Sequence, residues 1–130
     1  MTKMSVVAAV IERDGCVLIG MRPYDKTFGG QWEFPGGKIE SGETHRDALR
    51  RELWEELNVN VVDSADSAHF SVEEPRVGAV IYYFSTSIAG VEQPVEHEAL
   101  AWVAIRDLLE YDLAPSDRAY AEFRLSSLRR

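Results

Sequence analysis

Chemistry in this chain is concentrated between Gly37 and Val59. Five residues separate Gly37 from Glu43, seven separate Glu43 from Arg51, and Arg51-Glu52-Leu53-Trp54-Glu55-Glu56-Leu57-Asn58-Val59 follows directly. On an α-helix, Glu52, Glu55 and Glu56 fall within one arc of about 100°. Glu56 lies on the rim of the apolar stripe formed by Leu49, Leu53 and Leu57, where a plain amphipathic helix would not put a carboxylate. Like charges one turn apart repel, and in a partly buried site at least one would take up a proton. A divalent cation relieves the repulsion, and oxygen ligands select a hard ion such as Mg²⁺ or Mn²⁺. The competing explanation is a solvated acidic face paired with Arg50 and Arg51.

The elements that must position these residues can be read from pattern. Residues 4–12 form an apolar run rich in Val and Ile, which predicts a strand buried on both faces. Asp14-Gly15 then separates it from the apolar run Cys16 to Met21, a hairpin signal because both turn residues tolerate positive φ. Residues 23–31, with Pro23 and Gly29-Gly30, read as loop, and Trp32-Glu33-Phe34 as a short strand closed by Pro35-Gly36-Gly37. The spacing predicts a helix over 44–57, opened by Thr44 and Asp47 as a capping pair and stopped at Asn58, which accepts a left-handed conformation. Strands are expected at 59–62, 68–73, 77–87 and 100–105. A last helix runs from Pro115 to about Leu128, with Arg124, Arg129 and Arg130 suiting its negative end. This order predicts a mixed sheet covered by helices on two sides.

Composition bounds the class. At 130 residues, one domain spanning 1–130 is expected. Twenty-two acidic against 14 basic residues give a net charge of -8, which argues against a nucleic-acid polymer or an anionic membrane as partner. A small polyanion stays possible if a cation stands between it and the protein. Cys16 is the single cysteine, so no internal disulfide can form, and it reads as a small buried hydrophobe. No run is long enough to span a membrane, and the stretch from Met1 to Ser5 lacks the features of a signal peptide; a cytoplasmic protein is expected.

The spacing of Gly37, Glu43, Arg51, Glu52, Glu55 and Glu56 resembles the signature of the Nudix hydrolases. With a background frequency on the order of 0.06 per fixed residue, a chance match of all six falls below about one in a million per window. Asn58 replaces the glycine that ends the family pattern. The resemblance implies a Nudix-type α/β/α sandwich, an α/β (α+β) fold with a central mixed β-sheet, a catalytic loop–helix and a C-terminal helix. It implies that Glu52, Glu55 and Glu56 are metal-binding carboxylates, with Glu52 also the candidate general base. Gly37 would add a carbonyl ligand, Arg51 would orient the catalytic glutamates, and Glu43 would support the loop–helix structure. The expected cofactor is Mg²⁺, with Mn²⁺ able to replace it.

Nearly the whole chain resembles the MutT-type branch, and within it the CTP pyrophosphohydrolases, through Val6 to Gly15, Arg22-Pro23, Trp32-Glu33-Phe34 and Leu113 to Asp117. This implies substrate contacts from Arg22, Phe34 and Asp117, with Lys38 and Tyr82 as further substrate-binding candidates. Core packing competes for Phe34, a surface salt bridge for Arg22 and a helix cap for Asp117. Glu96, six residues before Trp102, matches a loop carboxylate that reaches the metals, with Glu98 as its rival; His97, His45 and His69 are expected to face solvent. An ionised Asp117 can only accept hydrogen bonds, which suits the exocyclic amine of cytosine and disfavours the O6 of guanine. The expected activity is hydrolysis of a nucleoside triphosphate to monophosphate and pyrophosphate, with CTP or dCTP, including 5-methyl forms, preferred. The alternatives are sanitation of the nucleotide pool, by cleaving 8-oxo-dGTP or 2-hydroxy-dATP, and a non-catalytic nucleotide-binding module. ADP-ribose, diadenosine polyphosphates and coenzyme A are further family substrates. Monomer and homodimer are both compatible with the sequence.

Overall fold

The computed structural model describes residues 3–128. Met1 and Thr2 of the N-terminal segment, and Arg129 and Arg130 of the expected C-terminal charge cluster, lie outside them.

The apolar runs become strands. β1 (Met4–Val10) is central in a five-stranded sheet, parallel to β8 (Ala79–Ala89) on one side and antiparallel to β5 (Gly36–Lys38) on the other. β6 (Asn60–Ser64) and β7 (Phe70–Glu74) pair in turn along the other edge of β8. A second sheet contains β2 (Glu12–Arg13), β3 (Cys16–Met21), β4 (Trp32–Glu33) and β9 (Leu100–Ala104), with β3 antiparallel to the other three. The expected strand at 4–12 is therefore two strands in two sheets, and the chain crosses between them at Ile11. Ile11 is itself buried, as are the β1 residues before it, so the apolar run carries no mark of the crossing. Asp14 and Gly15 form the expected turn, with φ of 53° and 78°.

Two helices cover opposite faces. α1 (His45–Leu57) packs Ala48, Leu49, Leu53 and Leu57 against Val7, Ala9, Leu18 and Phe84. α2 (Pro115–Leu128) packs Tyr120 and Ala121 against Ala8, Ile81, Tyr83 and Phe34. The layering is the predicted mixed sheet between helices. Thr44 and Asp47 form the full capping box, and Asn58 ends α1 in the left-handed region at φ 57°. Arg124 does not serve the end of α2. It donates to the hydroxyl of Tyr120 at 2.7 Å and to Glu12 at 2.6 Å.

Other expectations change on packing. Cys16 is half-buried at the start of β3 rather than enclosed. Of the three histidines His69 is exposed as expected, while His45 is half-buried and His97 is not a solvent residue. His45 stacks on Phe84 with ring centres 4.3 Å apart, and His69 lies 2.7 Å from the hydroxyl of Tyr120. His97 is buried. Among the described residues no helix is long and apolar enough to cross a membrane.

Candidate active site

The site is built where three separate segments meet the middle and last turns of α1. Arg51, in the second turn of α1, forks onto Glu43: Nε donates to Oε2 at 2.8 Å and Nη2 to Oε1 at 2.9 Å. Nη2 also donates to the carbonyl of Lys38 at 2.9 Å, and Nη1 donates to Glu52 Oε1 at 2.7 Å. One guanidinium thus ties β5, the loop after it and α1 into a single geometry. The pairing holds the Glu43 carboxyl down to about 2 and raises the Arg51 pKa, in each case chiefly through their mutual hydrogen bonds. A side chain at Gly37 would collide with the Glu52 carboxylate, 2.3 Å from where its Cβ would sit. The glycine is what lets that carboxylate lie against β5.

Two adjoining cavities open here. One, of about 490 Å³, has walls of Met4, Val6, Ala79 and Ile81 and contains Asp117. The other, of about 360 Å³, is lined by Glu33, Glu40, Glu52, Glu56, Glu96 and His97. Arg22, Lys26, Glu33 and Lys38 line both. Arg22 is held in this shared wall by Glu33, with Nη1 donating to Oε1 at 2.7 Å. The salt bridge that competes for Arg22 is thus present, and the same side chain lines both cavities.

Glu56 is the buried member of the acidic cavity. Burial, then its hydrogen bond with Glu52 and the charges of Glu33, Glu52 and Glu96, push its pKa well up. Carboxylates outnumber cations in the lining, five to three. Crowded like charges favour a compensating cation, and hard oxygen donors suit a small divalent one. The residues present therefore fit a divalent metal. Glu33, Glu56 and His97 bring donor atoms within 4.8 Å of one another, but His97 Nε2 is already engaged with Glu33 at 3.0 Å. Besides Glu33, the carboxylates facing the cavity are Glu40 at its exposed edge and Glu52, Glu56 and Glu96.

The structure brings together most of the sequence-predicted set, with four departures. Glu55 stays at the rim, half-exposed, with its carboxylate 3.6 Å from Arg51. Gly36, one residue before Gly37, is the glycine that lines the acidic cavity. Phe34 is core: its ring packs edge-on to Tyr83 and Tyr120 at 5.9 and 5.1 Å and does not line the cavities. Tyr82 also lies away from both, packed on the α1 face of the sheet, because strand alternation turns it opposite to Ile81 and Tyr83. Glu96 reaches the acidic cavity and its rival Glu98 does not.

Asp117 is placed by backbone pairing. Trp32 N–H donates to Asp112 at 2.8 Å and Ala114 N–H to Trp32 at 2.8 Å, which lays the start of α2 along β4. Asp117 Oδ1 then accepts from Tyr83 Oη at 2.9 Å and from Phe34 N–H at 3.3 Å. It caps no helix. Burial, reinforced by the charge of Glu33, raises its pKa to about 8. That overturns the premise of an ionised Asp117 at neutral pH.

Sequence reasoning missed Glu33, His97, Lys26 and Phe28. Phe28 lines the apolar cavity from the 22–31 loop and sits under the Arg76 guanidinium, 5.5 Å from ring centre to Cζ. Glu33 carried one usable signal: between Trp32 and Phe34 in a strand, it must face the opposite side from both.

Comparisons with known proteins agree with this architecture. The NUDIX domain family matches residues 1–123. The CTP pyrophosphohydrolase of Escherichia coli (strain K12) is 40% identical over 118 residues, covering 90% of this chain and 87% of that protein. An 8-oxo-dGTP diphosphatase of Proteus vulgaris is 47% identical over 60 residues, covering 45% of this chain and 54% of that protein. The crystal structure of a MutT NUDIX hydrolase from Burkholderia pseudomallei superimposes with a TM-score of 0.82 at 28% identity, covering 94% of this chain and 98% of that one. The chain belongs to the NUDIX family and is a Nudix hydrolase.

Proposed function

We propose that residues 1–130 act as one domain, a Mg²⁺-dependent nucleoside triphosphate pyrophosphohydrolase that prefers CTP or dCTP and their 5-methyl forms. The observation that carries this reading is the pair of joined cavities, one apolar with Asp117 in it, the other acidic, with Arg22, Lys26 and Lys38 between them. A base fits the first, the metal-compensated phosphates the second, and the three cations the phosphates as they cross. The 40% identical CTP pyrophosphohydrolase supports the choice of base. The surplus of negative charge favours a free nucleotide over a nucleic-acid polymer.

In this reading Glu52, Glu56 and Glu96, with a backbone carbonyl from Gly36-Gly37 and with Glu55 reaching in from the rim, would hold Mg²⁺, and Mn²⁺ would serve in its place. When bound, the metal would supply neutralisation of phosphate charge and would make the attacking water more acidic. Glu52 takes the water's proton as general base, Arg51 fixes where Glu52 points, and Glu43 fixes Arg51. One water adds across the anhydride between the first and second phosphates, giving monophosphate and pyrophosphate.

A second reading, cleavage of 8-oxo-dGTP, is favoured by one observation. With Oδ1 occupied and the pKa raised to about 8, a protonated Asp117 offers Oδ2–H as a donor, which guanine O6 can accept. Hydrolysis of the eight common nucleotides, 8-oxo-dGTP and 5-methyl-dCTP decides between them. CTP or dCTP should lead; a tenfold or greater lead for 8-oxo-dGTP would replace the first reading with the second. Glu52→Gln should lose turnover by about two orders of magnitude or more on any substrate, and unchanged turnover would remove the proposed metal site.

A further inference from the structure

We propose that His97 is a positioning residue that locks the base-binding and phosphate-binding cavities to each other. The inference rests on the metal-dependent reading above. The His97 side chain is 2% exposed. Its ring occupies space that Gly20 leaves open: a Cβ there would lie 2.6 Å from two ring carbons. Gly20 is also the residue that pairs with Glu33 across the β3–β4 ladder. The glycine thus sets ring and carboxylate side by side.

Nε2 of the ring lies 3.0 Å from Glu33 Oε2 and 3.6 Å from Glu56 Oε1. The other oxygen of Glu33 accepts from Arg22. Hydrogen bonds therefore link Arg22 in the shared wall to Glu33 and Glu33 to His97, and the ring sets Nε2 against Glu56, which hydrogen-bonds Glu52. The backbone around the ring is stapled on both sides. Val95 N–H donates to the carbonyl of Glu56 at 3.1 Å, and Glu98 N–H to that of Met21 at 2.9 Å. Glu96 projects from this anchored stretch into the acidic cavity.

Packing alone does not explain an imidazole here. Nδ1 is buried without a hydrogen-bond partner. An unpaired buried nitrogen is costly, and a leucine or phenylalanine would fill the space without that cost. What the ring supplies is a donor at Nε2 in a fixed place. Groups that orient metal ligands from behind typically change metal affinity or activity by about 10–100-fold when removed.

The test compares His97→Leu, which fills the space without a donor, with His97→Gln, whose amide nitrogen reaches toward the place of Nε2. Binding of Mn²⁺ in the absence of nucleotide is followed by electron paramagnetic resonance, alongside kcat and KM. The Leu variant should bind Mn²⁺ about tenfold more weakly and lose about tenfold or more in kcat/KM. The Gln variant should stay within about threefold of the parent on both measures. A Leu variant that binds Mn²⁺ like the parent, or a Gln variant as impaired as Leu, overturns the inference while leaving the metal-dependent reading intact. A parent chain that binds no Mn²⁺ overturns both. If His97→Leu does not fold, His97→Asn replaces it with the same outcomes, since its shorter amide keeps polarity without reaching Glu33.

Discussion

Asp117 carries two hydrogen bonds on Oδ1 and its pKa is raised to about 8, so close to neutral pH its free oxygen bears the proton. What it offers a base then depends on pH. Below about 8 it is a donor, matching acceptors such as guanine O6; above, it is an acceptor, matching the amine of cytosine. Because ionisation rises with pH, the ratio of kcat/KM for CTP over GTP should climb between pH 7 and 9, by up to about tenfold as the ionised fraction goes from roughly a tenth to nine-tenths. Asp117→Asn places an amide N–H₂ where the O–H was and cannot ionise. Its ratio should be flat over the same range and resemble that of the parent at the acidic end. A parent ratio that does not move with pH would show that Asp117 does not read the base.

Helix α1 shows what a local pattern can specify. Its capping box, leucine stripe and left-handed stop are each set by neighbours within four residues, and each is found where the spacing places it. Asn58 supports a direct measurement. At φ 57° an alanine pays for its Cβ, about 1 kcal/mol, while glycine pays nothing comparable. Urea midpoints should therefore fall for Asn58→Ala and hold or rise slightly for Asn58→Gly; equal losses in both would mean that the Asn side chain itself stabilises the turn. Elements fixed by distant pairing were less legible. Nothing in Ile11 itself marks the crossing between sheets, since it is apolar and buried like the residues of β1 before it. The site divides the same way. Glu43, Arg51, Glu52 and Glu56 share one loop and helix and could be read from spacing. Glu33 and His97 meet only because β3 pairs with β4 on one side and β9 on the other, a fact of topology that no short window contains. Phe34 and Tyr82 were misplaced for a related reason: strand alternation fixes which residues share a face, but not which face holds the cavity.

Across the whole molecule, the charge of -8 acquires a location. Glu52, Glu55, Glu56 and Glu96 supply half its magnitude at one end of α1 and the loop facing it. With metal removed, these groups should repel a triphosphate at close range. Affinity for a non-hydrolysable CTP analogue should then fall by on the order of a hundredfold on adding EDTA, measured by calorimetry; tight binding that survives chelation would refute a metal-bridged triphosphate. Glu33 has a different reach. It stands in the wall common to both cavities, salt-bridged to Arg22 and touching His97. A substitution there cannot alter base preference without also disturbing catalysis. Descendants of this chain that drift toward new nucleotides would have to change the walls that only the apolar cavity owns, around Phe28, Val77 and Asp117. Glu33 would be held still by its double duty.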